Sequence, residues 1–124
     1  MNKIFCFVCF FLSFASFAKE IPFDPENGKF LIVACQETLE IYKNREERNF
    51  MAAEMTSAAE AIRAGYCIGY LQRYIKDRPR CGDYRFPVTS NWFELAKRVA
   101  NVGNLPKGTL GTAAVLDKAY CNAY

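Results

Sequence analysis

The sequence has 124 residues, a formal net charge of +3 and no histidine. The lack of an imidazole excludes Ser-His-Asp catalysis, Cys-His catalysis and His-ligated zinc, since each needs a side chain whose pKa lies near neutrality. Nothing in the small positive charge implies a nucleic-acid partner. Composition therefore indicates a small globular protein and excludes most enzyme classes.

The first 18 residues have the pattern of a secretory signal. Lys3 supplies the positive start, residues 4–14 form an apolar run too short to span a bilayer, and Ser16-Phe17-Ala18 resembles a cleavage site. We expect cleavage after Ala18, a periplasmic location, no further membrane association, and a single domain over residues 19–124.

The cysteine pattern predicts disulfides. Two of the six cysteines lie in the signal segment, and four remain: Cys35, Cys67, Cys81 and Cys121. An even number in a short exported chain predicts two bridges with three possible connectivities, each bridge worth about 2–4 kcal/mol. A zinc site of four thiolates is the alternative, but structural zinc ligands are usually closely paired and here the gaps are long. A hairpin of the first two helices favours Cys35–Cys67, which leaves Cys81–Cys121.

The first residues of the domain are predicted to form an extended strap, followed by a helix. Residues 19–28 carry two prolines and a glycine, and we expect them to lie extended across the surface. From Phe30 the apolar residues follow a helical period. Asn44 and Glu47 resemble a capping box, so residues 43–48 are predicted to break the helix or to open the next one; one continuous helix is the alternative.

The second helix, over about residues 50–76, is predicted to be central. Apolar residues follow two of its sides, one line including Ile62 and Tyr70. Ala61, Gly65 and Gly69 recur every four residues, and helical glycine costs about 1 kcal/mol relative to alanine. We expect a second backbone to approach this stripe, with a helix of the same chain favoured over a second subunit.

The remainder predicts a loop and two helices. Residues 78–87 read as a loop, and Asn91 as the cap of a third helix that ends in a left-handed residue within 101–103. A fourth helix is expected over about residues 109–121, with these residues inward: Leu110, Ala113, Leu116 and Tyr120. No segment alternates like a sustained strand. The predicted fold is all-α, a compact bundle of four to five helices pinned by two disulfides.

Catalytic chemistry is not indicated. The carboxylate pairs include Glu37 with Glu40, interpreted as a solvated helix face, and Glu46 with Glu47, interpreted as a cap. We therefore expect no enzyme activity, no cofactor and no metal.

Basic residues cluster at the end of the second helix and in the following loop: Arg73, Lys76, Arg78, Arg80 and Arg85. They complement the helix dipole or meet an acidic partner. The loop also carries Tyr84 and Phe86, a composition typical of binding elements.

The segment AGYCIGYL, residues 64–71, resembles the helical immunity proteins of type VI secretion systems, the Tai/Rap group of periplasmic antitoxins. The resemblance spans the domain and rests on a signal peptide, an early Cys35, the run Cys67-Ile68-Gly69-Tyr70, a later Cys81, a Leu105-Pro106 turn and a last helix ending in Ala119-Tyr120-Cys121. The chain departs from the family in the five residues before Pro87 and in Gln72-Arg73-Tyr74, where the family has a small residue after the tyrosine segment.

The resemblance implies a homodimeric antitoxin without catalysis. Such a protein occludes the active-site groove of a peptidoglycan amidase, a papain-like cysteine hydrolase, and protects the producing cell from its siblings. Our hypothesis for the surface places Tyr84 and Arg85, flanked by Arg80 and Asp83, in or over that groove. The outer side of the third helix forms the rim, with Glu94, Lys97 and Arg98.

Two other functions fit the same composition: a small periplasmic stress chaperone, and an inhibitor of another cell-wall hydrolase such as lysozyme. A chaperone binds many weak clients, whereas an antitoxin binds one saturable partner, so stoichiometry separates them.

Overall fold

The structure is a computed structural model that describes residues 23–48, 56–82, 84–103 and 111–123. Within these ranges the chain forms four helices and one two-stranded sheet: α1 Gly28–Arg48, α2 Ala58–Asp77, β1 Arg85–Pro87, α3 Trp92–Ala100, α4 Thr112–Tyr120 and β2 Cys121–Ala123. The predicted helical fold is confirmed. The predicted signal segment lies outside the described residues, and none of the helices within them is long and apolar enough to cross a bilayer.

Helix α1 is longer than the sequence predicted. It runs unbroken to Arg48, so the predicted break over residues 43–48 is wrong. No proline or glycine follows Gly28 in this segment, and Lys43 and Glu47 lie one turn apart with Nζ 3.9 Å from Oε1. Asn44 and Glu47 are therefore interior helix positions, where such pairing gives modest support, and they do not cap a new helix.

Helix α2 begins later than predicted. Ser57 is its N-cap: the Ser57 side chain accepts a hydrogen bond from the Glu60 amide at 3.2 Å, and the Glu60 carboxylate accepts one from the Ser57 amide at 3.1 Å. This reciprocal capping box satisfies amides that have no partner within the helix. Thr56 and Ser57 are therefore not helical, and residues 50–55 of the predicted helix lie outside the described ranges.

The core lies between α1, α2, α3 and α4. The predicted Cys35–Cys67 disulfide is confirmed, and both cysteines are fully buried. Beside it, the buried Thr38 hydroxyl donates to the Ala34 carbonyl of its own helix at 2.8 Å and lies 3.3 Å from the Ala64 carbonyl of α2. A covalent bond and a satisfied polar contact thus fix α1 against α2.

Only one side of α2 is buried, so the prediction of a central helix is wrong. Leu71 and Cys67 face the core, whereas Ile62 is 64% exposed and Tyr70 is also exposed. A Cβ built on Gly65 or Gly69 meets no atom within 4 Å among the described residues. Among the described residues, no helix of the same chain therefore packs closely against this stripe, and that prediction is wrong. The stripe of small residues faces outward.

The second predicted disulfide, Cys81–Cys121, is also confirmed, with its Cα atoms 5.6 Å apart. Because all four cysteines of the domain are paired, the alternative of a four-thiolate zinc site is wrong. Disulfides persist where thiols are oxidised, so the pair of bridges indicates a non-reducing compartment such as the periplasm.

Helix α3 begins as predicted and ends differently. The Asn91 side chain accepts hydrogen bonds from the Phe93 and Glu94 amides at 2.8 and 3.4 Å. The helix ends at Asn101, whose φ of −100° is not left-handed, and Gly103 does not have a positive φ either. The predicted left-handed cap is wrong; the Asn101 side-chain amide instead donates to the Lys97 carbonyl at 2.8 Å.

Helix α4 starts at Thr112, after the N-cap Gly111, rather than at 109. Leu116 and Tyr120 are buried as predicted, but Ala113 is exposed, because the helix buries a face that includes Val115 instead. Leu110 lies outside the described residues.

Residues 23–27 lie against the helices, as predicted for the strap, but Pro25 and Glu26 form a turn rather than extended backbone and Gly28 already belongs to α1. The Pro25 carbonyl accepts hydrogen bonds from the Tyr66 hydroxyl at 2.9 Å and the Thr112 hydroxyl at 2.7 Å. The Thr112 amide donates to the Glu26 carbonyl at 3.0 Å. The strap therefore joins α2 to α4 at the start of the domain.

Candidate partner-binding surface

The loop after α2 folds into a short β-structure that the sequence did not predict. β1 pairs with β2 in antiparallel register, with Arg85 opposite Ala123 and Pro87 opposite Cys121. The Val88 amide extends the contact by donating to the Tyr120 carbonyl at 2.9 Å. Together with the Cys81–Cys121 bridge, these contacts fix the loop to the C-terminal end of the domain. We call residues 80–87 the projecting loop.

Tyr84 stands at the tip of the projecting loop. The Arg85 amide donates to the Gly82 carbonyl at 3.1 Å, which closes a tight turn around Tyr84. Tyr84 has φ 57°, a left-handed conformation, and is 87% exposed. A non-glycine residue in this conformation costs roughly 1–2 kcal/mol. The turn thus holds a large aromatic side chain in solvent on a strained backbone, a combination that is concentrated at binding and switch sites.

Arg85 joins the projecting loop to α4. Its guanidinium Nη1 donates to the Asp117 carboxylate Oδ2 on α4, and its side chain is about two-thirds buried. A Cβ on Gly82 would lie 3.1 Å from Arg85 Nη2, so a larger residue there would crowd the guanidinium. The sequence singled out Arg85 but could not show that its partner lies 32 residues away, because charge pattern alone does not pair distant residues.

The seven residues predicted to bind a partner lie on two elements. Arg80 is exposed on the projecting loop, and Asp83 lies outside the described residues. On α3, Glu94 and Lys97 pair with each other at 2.8 Å, and Lys97 Nζ also lies 5.1 Å from the Phe93 ring centroid. Arg98 is exposed on the same helix. The outward face of α3 is thus polar and available, as the predicted rim requires.

Three of the carboxylates considered for catalysis differ from their predicted setting, whereas Glu40 is exposed as predicted. Glu37 is not solvated: its two carboxylate oxygens accept from Arg63 Nε and Nη2 at 2.7 and 2.8 Å, and both side chains are at least four-fifths buried. Glu46 and Glu47 lie in the body of α1 rather than in a cap. Among the described residues, no group of three or more His, Cys, Asp or Glu side chains is arranged to hold a metal ion.

Two tyrosines are held as neutral phenols. Burial raises the pKa of Tyr66 above its usual value of 10, and the neighbouring Tyr70 adds to the rise. Burial also raises the pKa of Tyr74, with a further contribution from the Asp117 carboxylate. A negative tyrosinate is unfavourable both away from water and beside another anion. Each phenol therefore remains a hydrogen-bond donor until the solution is strongly alkaline.

A groove beside the projecting loop was not predicted from the sequence. It has a volume of about 740 Å³ and is lined by Ile75, Lys76, Arg78, Pro79, Pro87, Val88, Thr89, Ser90 and Tyr120. The sequence did contain one signal of it, the cluster of cations at the end of the second helix. Its second wall comes from residues that only the pairing of β1 with β2 brings into place.

Comparison with protein-family models, curated proteins and solved structures finds no match to this chain.

Proposed function

We propose that this protein is an exported immunity protein that binds a type VI secreted peptidoglycan amidase and occludes its active-site groove. The observation that carries the proposal is Tyr84, an exposed aromatic residue on a strained turn that is fixed to the domain on both sides. The resemblance in residues 64–71 and the spacing of the four cysteines supply the class of partner.

The scaffold suits tight inhibition. Binding by a mobile loop costs free energy to order its backbone and side chains, whereas a preformed loop has already lost that freedom. Here the Cys81–Cys121 bridge fixes the base of the loop, and the Arg85–Asp117 ion pair lies directly behind its tip. A projecting element of this kind enters a cleft with little rearrangement.

Tyr84 has the properties of an interface anchor. Tyrosine is enriched among the residues that dominate binding energy, because it buries a large area with few rotatable bonds. An obligatory inhibitor needs an interface of roughly 1,600 Å². The projecting loop supplies its centre in this proposal, and Glu94, Lys97 and Arg98 on α3 supply its polar rim.

The test is inhibition of a type VI secreted peptidoglycan amidase from the cell that produces this protein, assayed on purified peptidoglycan. Wild-type protein is expected to inhibit at one-to-one stoichiometry. Tyr84→Ala should raise the half-inhibiting concentration by about thirtyfold or more, the effect of losing a hot-spot residue worth at least about 2 kcal/mol. The single substitution is cleaner than one that also changes Arg85, since loss of the Asp117 ion pair would loosen the loop itself.

Phe23→Ala is the matched control, because Phe23 is also an exposed aromatic residue but lies on the strap. It should inhibit like wild type. Undiminished inhibition by Tyr84→Ala would contradict the assignment of the tip. Absence of any saturable partner, with many weakly bound proteins instead, would contradict the antitoxin function itself.

We also propose that the chain forms a homodimer through the outward stripe of α2. Gly65 and Gly69 leave open space along an exposed helix face, and close approach of a second backbone would offset the helical cost of glycine. Sedimentation equilibrium should show a dimer, and Gly65→Leu should convert it to a monomer while Glu40→Leu, exposed on α1, should not. A wild-type protein that stays monomeric at the highest concentration reached would contradict this proposal.

A further inference from the structure

The groove beside the projecting loop combines apolar and basic lining residues. Five of them are apolar: Ile75, Pro79, Pro87, Val88 and Tyr120. The exposed Lys76 and Arg78 come from the end of α2, and Thr89 and Ser90 come from the segment after β1. Its volume of about 740 Å³ lies within the range of pockets that hold drug-sized ligands, enough for a few side chains of a peptide.

The walls of the groove are fixed without a ligand. The Val88 amide donates to the Tyr120 carbonyl at 2.9 Å, which attaches one wall to the end of α4. On the other wall, α2 ends at Arg78, whose φ of 46° turns the chain out of the helix and whose amide donates to the Ile75 carbonyl at 3.1 Å. A partner therefore meets a preformed surface.

The charge of the wall is not neutralised within the described part of the chain. Arg73 Nε lies 3.0 Å from Asp77 Oδ2, so the charges of these two side chains cancel. Lys76 and Arg78 have no carboxylate partner among the described residues, and none of the described lining residues is acidic. Lys76 in the last turn of α2 complements the helix dipole, and the C-cap residue Arg78 adds a second cation at the same end.

We infer that this groove binds an extended acidic segment of the partner protein. Successive side chains of an extended peptide point to opposite sides, so apolar residues can rest on Ile75 and Tyr120 while intervening carboxylates reach the basic rim. Long cationic side chains at a rim recognise carboxylates by charge and speed association. The inference depends on the proposed function for the identity of the partner, and it adds a second contact beside the Tyr84 tip.

The experiment uses peptides and needs no amidase. The probe is an acetylated and amidated peptide, Gly-Glu-Leu-Glu-Leu-Glu-Gly, added to ¹⁵N-labelled mature protein at low salt. We expect saturable shifts of the Val88, Thr89 and Ser90 amides and a dissociation constant in the micromolar to millimolar range. The glutamine analogue should bind at least about tenfold more weakly, and added salt should weaken the binding of the acidic peptide.

Charge reversal in the groove is compared with the same reversal elsewhere. Lys76→Glu with Arg78→Glu should weaken peptide binding at least about tenfold, since like charges then face each other. Lys43→Glu with Arg45→Glu, exposed on α1, makes the same change in net charge and should leave binding unaltered. Preserved melting temperatures in both variants would exclude unfolding as the cause.

Several outcomes would overturn the inference: no shift at the groove amides, equal binding of the glutamine analogue, or equal weakening by both charge reversals. Equal or tighter binding of an eight-nucleotide oligothymidylate at the same amides would assign the groove to a polyphosphate instead. Because the Tyr84→Ala inhibition assay is separate, failure of the peptide experiment and failure of the proposed function are distinguishable.

Discussion

Replacing both glycines of the α2 stripe by alanine should stabilise the isolated domain. Gly65 and Gly69 lie inside a helix, and a Cβ at either position meets no described atom within 4 Å. The substitution therefore adds no clash, and it removes the helical penalty of glycine, about 0.8–1.0 kcal/mol at each site. Since the penalty is a backbone property and neither added methyl group meets another atom, we expect the gains to add to about 1.6–2 kcal/mol.

The measurement is urea unfolding followed by far-ultraviolet circular dichroism, with thermal melting alongside. A gain of this size corresponds to a rise in Tm of roughly 6–16 °C for a domain of this length. Gly103→Ala is the control: it lies outside the helices, its Cβ would make an ordinary 4.0 Å contact with the Asn101 carbonyl, and it should change stability by less than about 0.5 kcal/mol.

Protein concentration separates the open helix face from the proposed dimer. If the stripe joins two copies, association stabilises the wild type increasingly as concentration rises, so the advantage of the alanine variant should shrink. The reasoning is refuted if the double variant loses stability at the lowest usable concentration, because the two positions would then not be open within one folded chain.

Three further perturbations test other parts of the fold. Cys81→Ala with Cys121→Ala should cost about 4 kcal/mol in urea unfolding, the chain-entropy value for a separation of 40 residues, and a loss below about 1 kcal/mol would contradict that role. Arg63→Ala should lower the free energy of unfolding by about 2 kcal/mol, between the values for surface and buried ion pairs, because the Glu37 carboxylate is then left largely buried without its partner. A change near zero would show that water replaces the guanidinium. Because the pKa values of Tyr66 and Tyr74 are raised in the folded state, their contribution to stability is complete below pH 10 and is lost as pH rises through the folded values. Absorbance at 295 nm (the tyrosinate band) should therefore still be rising above pH 10 in the folded protein, and a titration already complete at pH 10 would contradict this.

Local sequence was sufficient for the features that depend on near neighbours. The cap at Asn91 follows from a side-chain acceptor placed directly before a helical segment, and it was predicted correctly. The disulfide pairing was predictable for a similar reason: a hairpin of two consecutive helices brings Cys35 to Cys67, and only one pairing then remains. These inferences need no knowledge of distant packing.

Other features depended on choices that local pattern leaves open. Residues 43–48 are compatible with a cap or with a continuous helix, and Asn44 would be suitable in either, so the sequence did not exclude the wrong alternative. Ser57 and Glu60 form the same motif and do begin a helix. The difference lies in whether the preceding residues continue the helix, which a motif of four residues does not specify.

Tertiary packing decided which side of α2 is buried and what the projecting loop contacts. Apolar residues follow two sides of α2, but the disulfide at Cys67 commits that side to the core and leaves Gly65 exposed on the other. The Arg85–Asp117 pair joins residues 32 positions apart, and the groove is assembled from the ends of three elements. Helix periodicity and caps depend on residues that are adjacent in the sequence. A binding surface, in contrast, forms only where packing of the core brings together segments that are distant in the sequence.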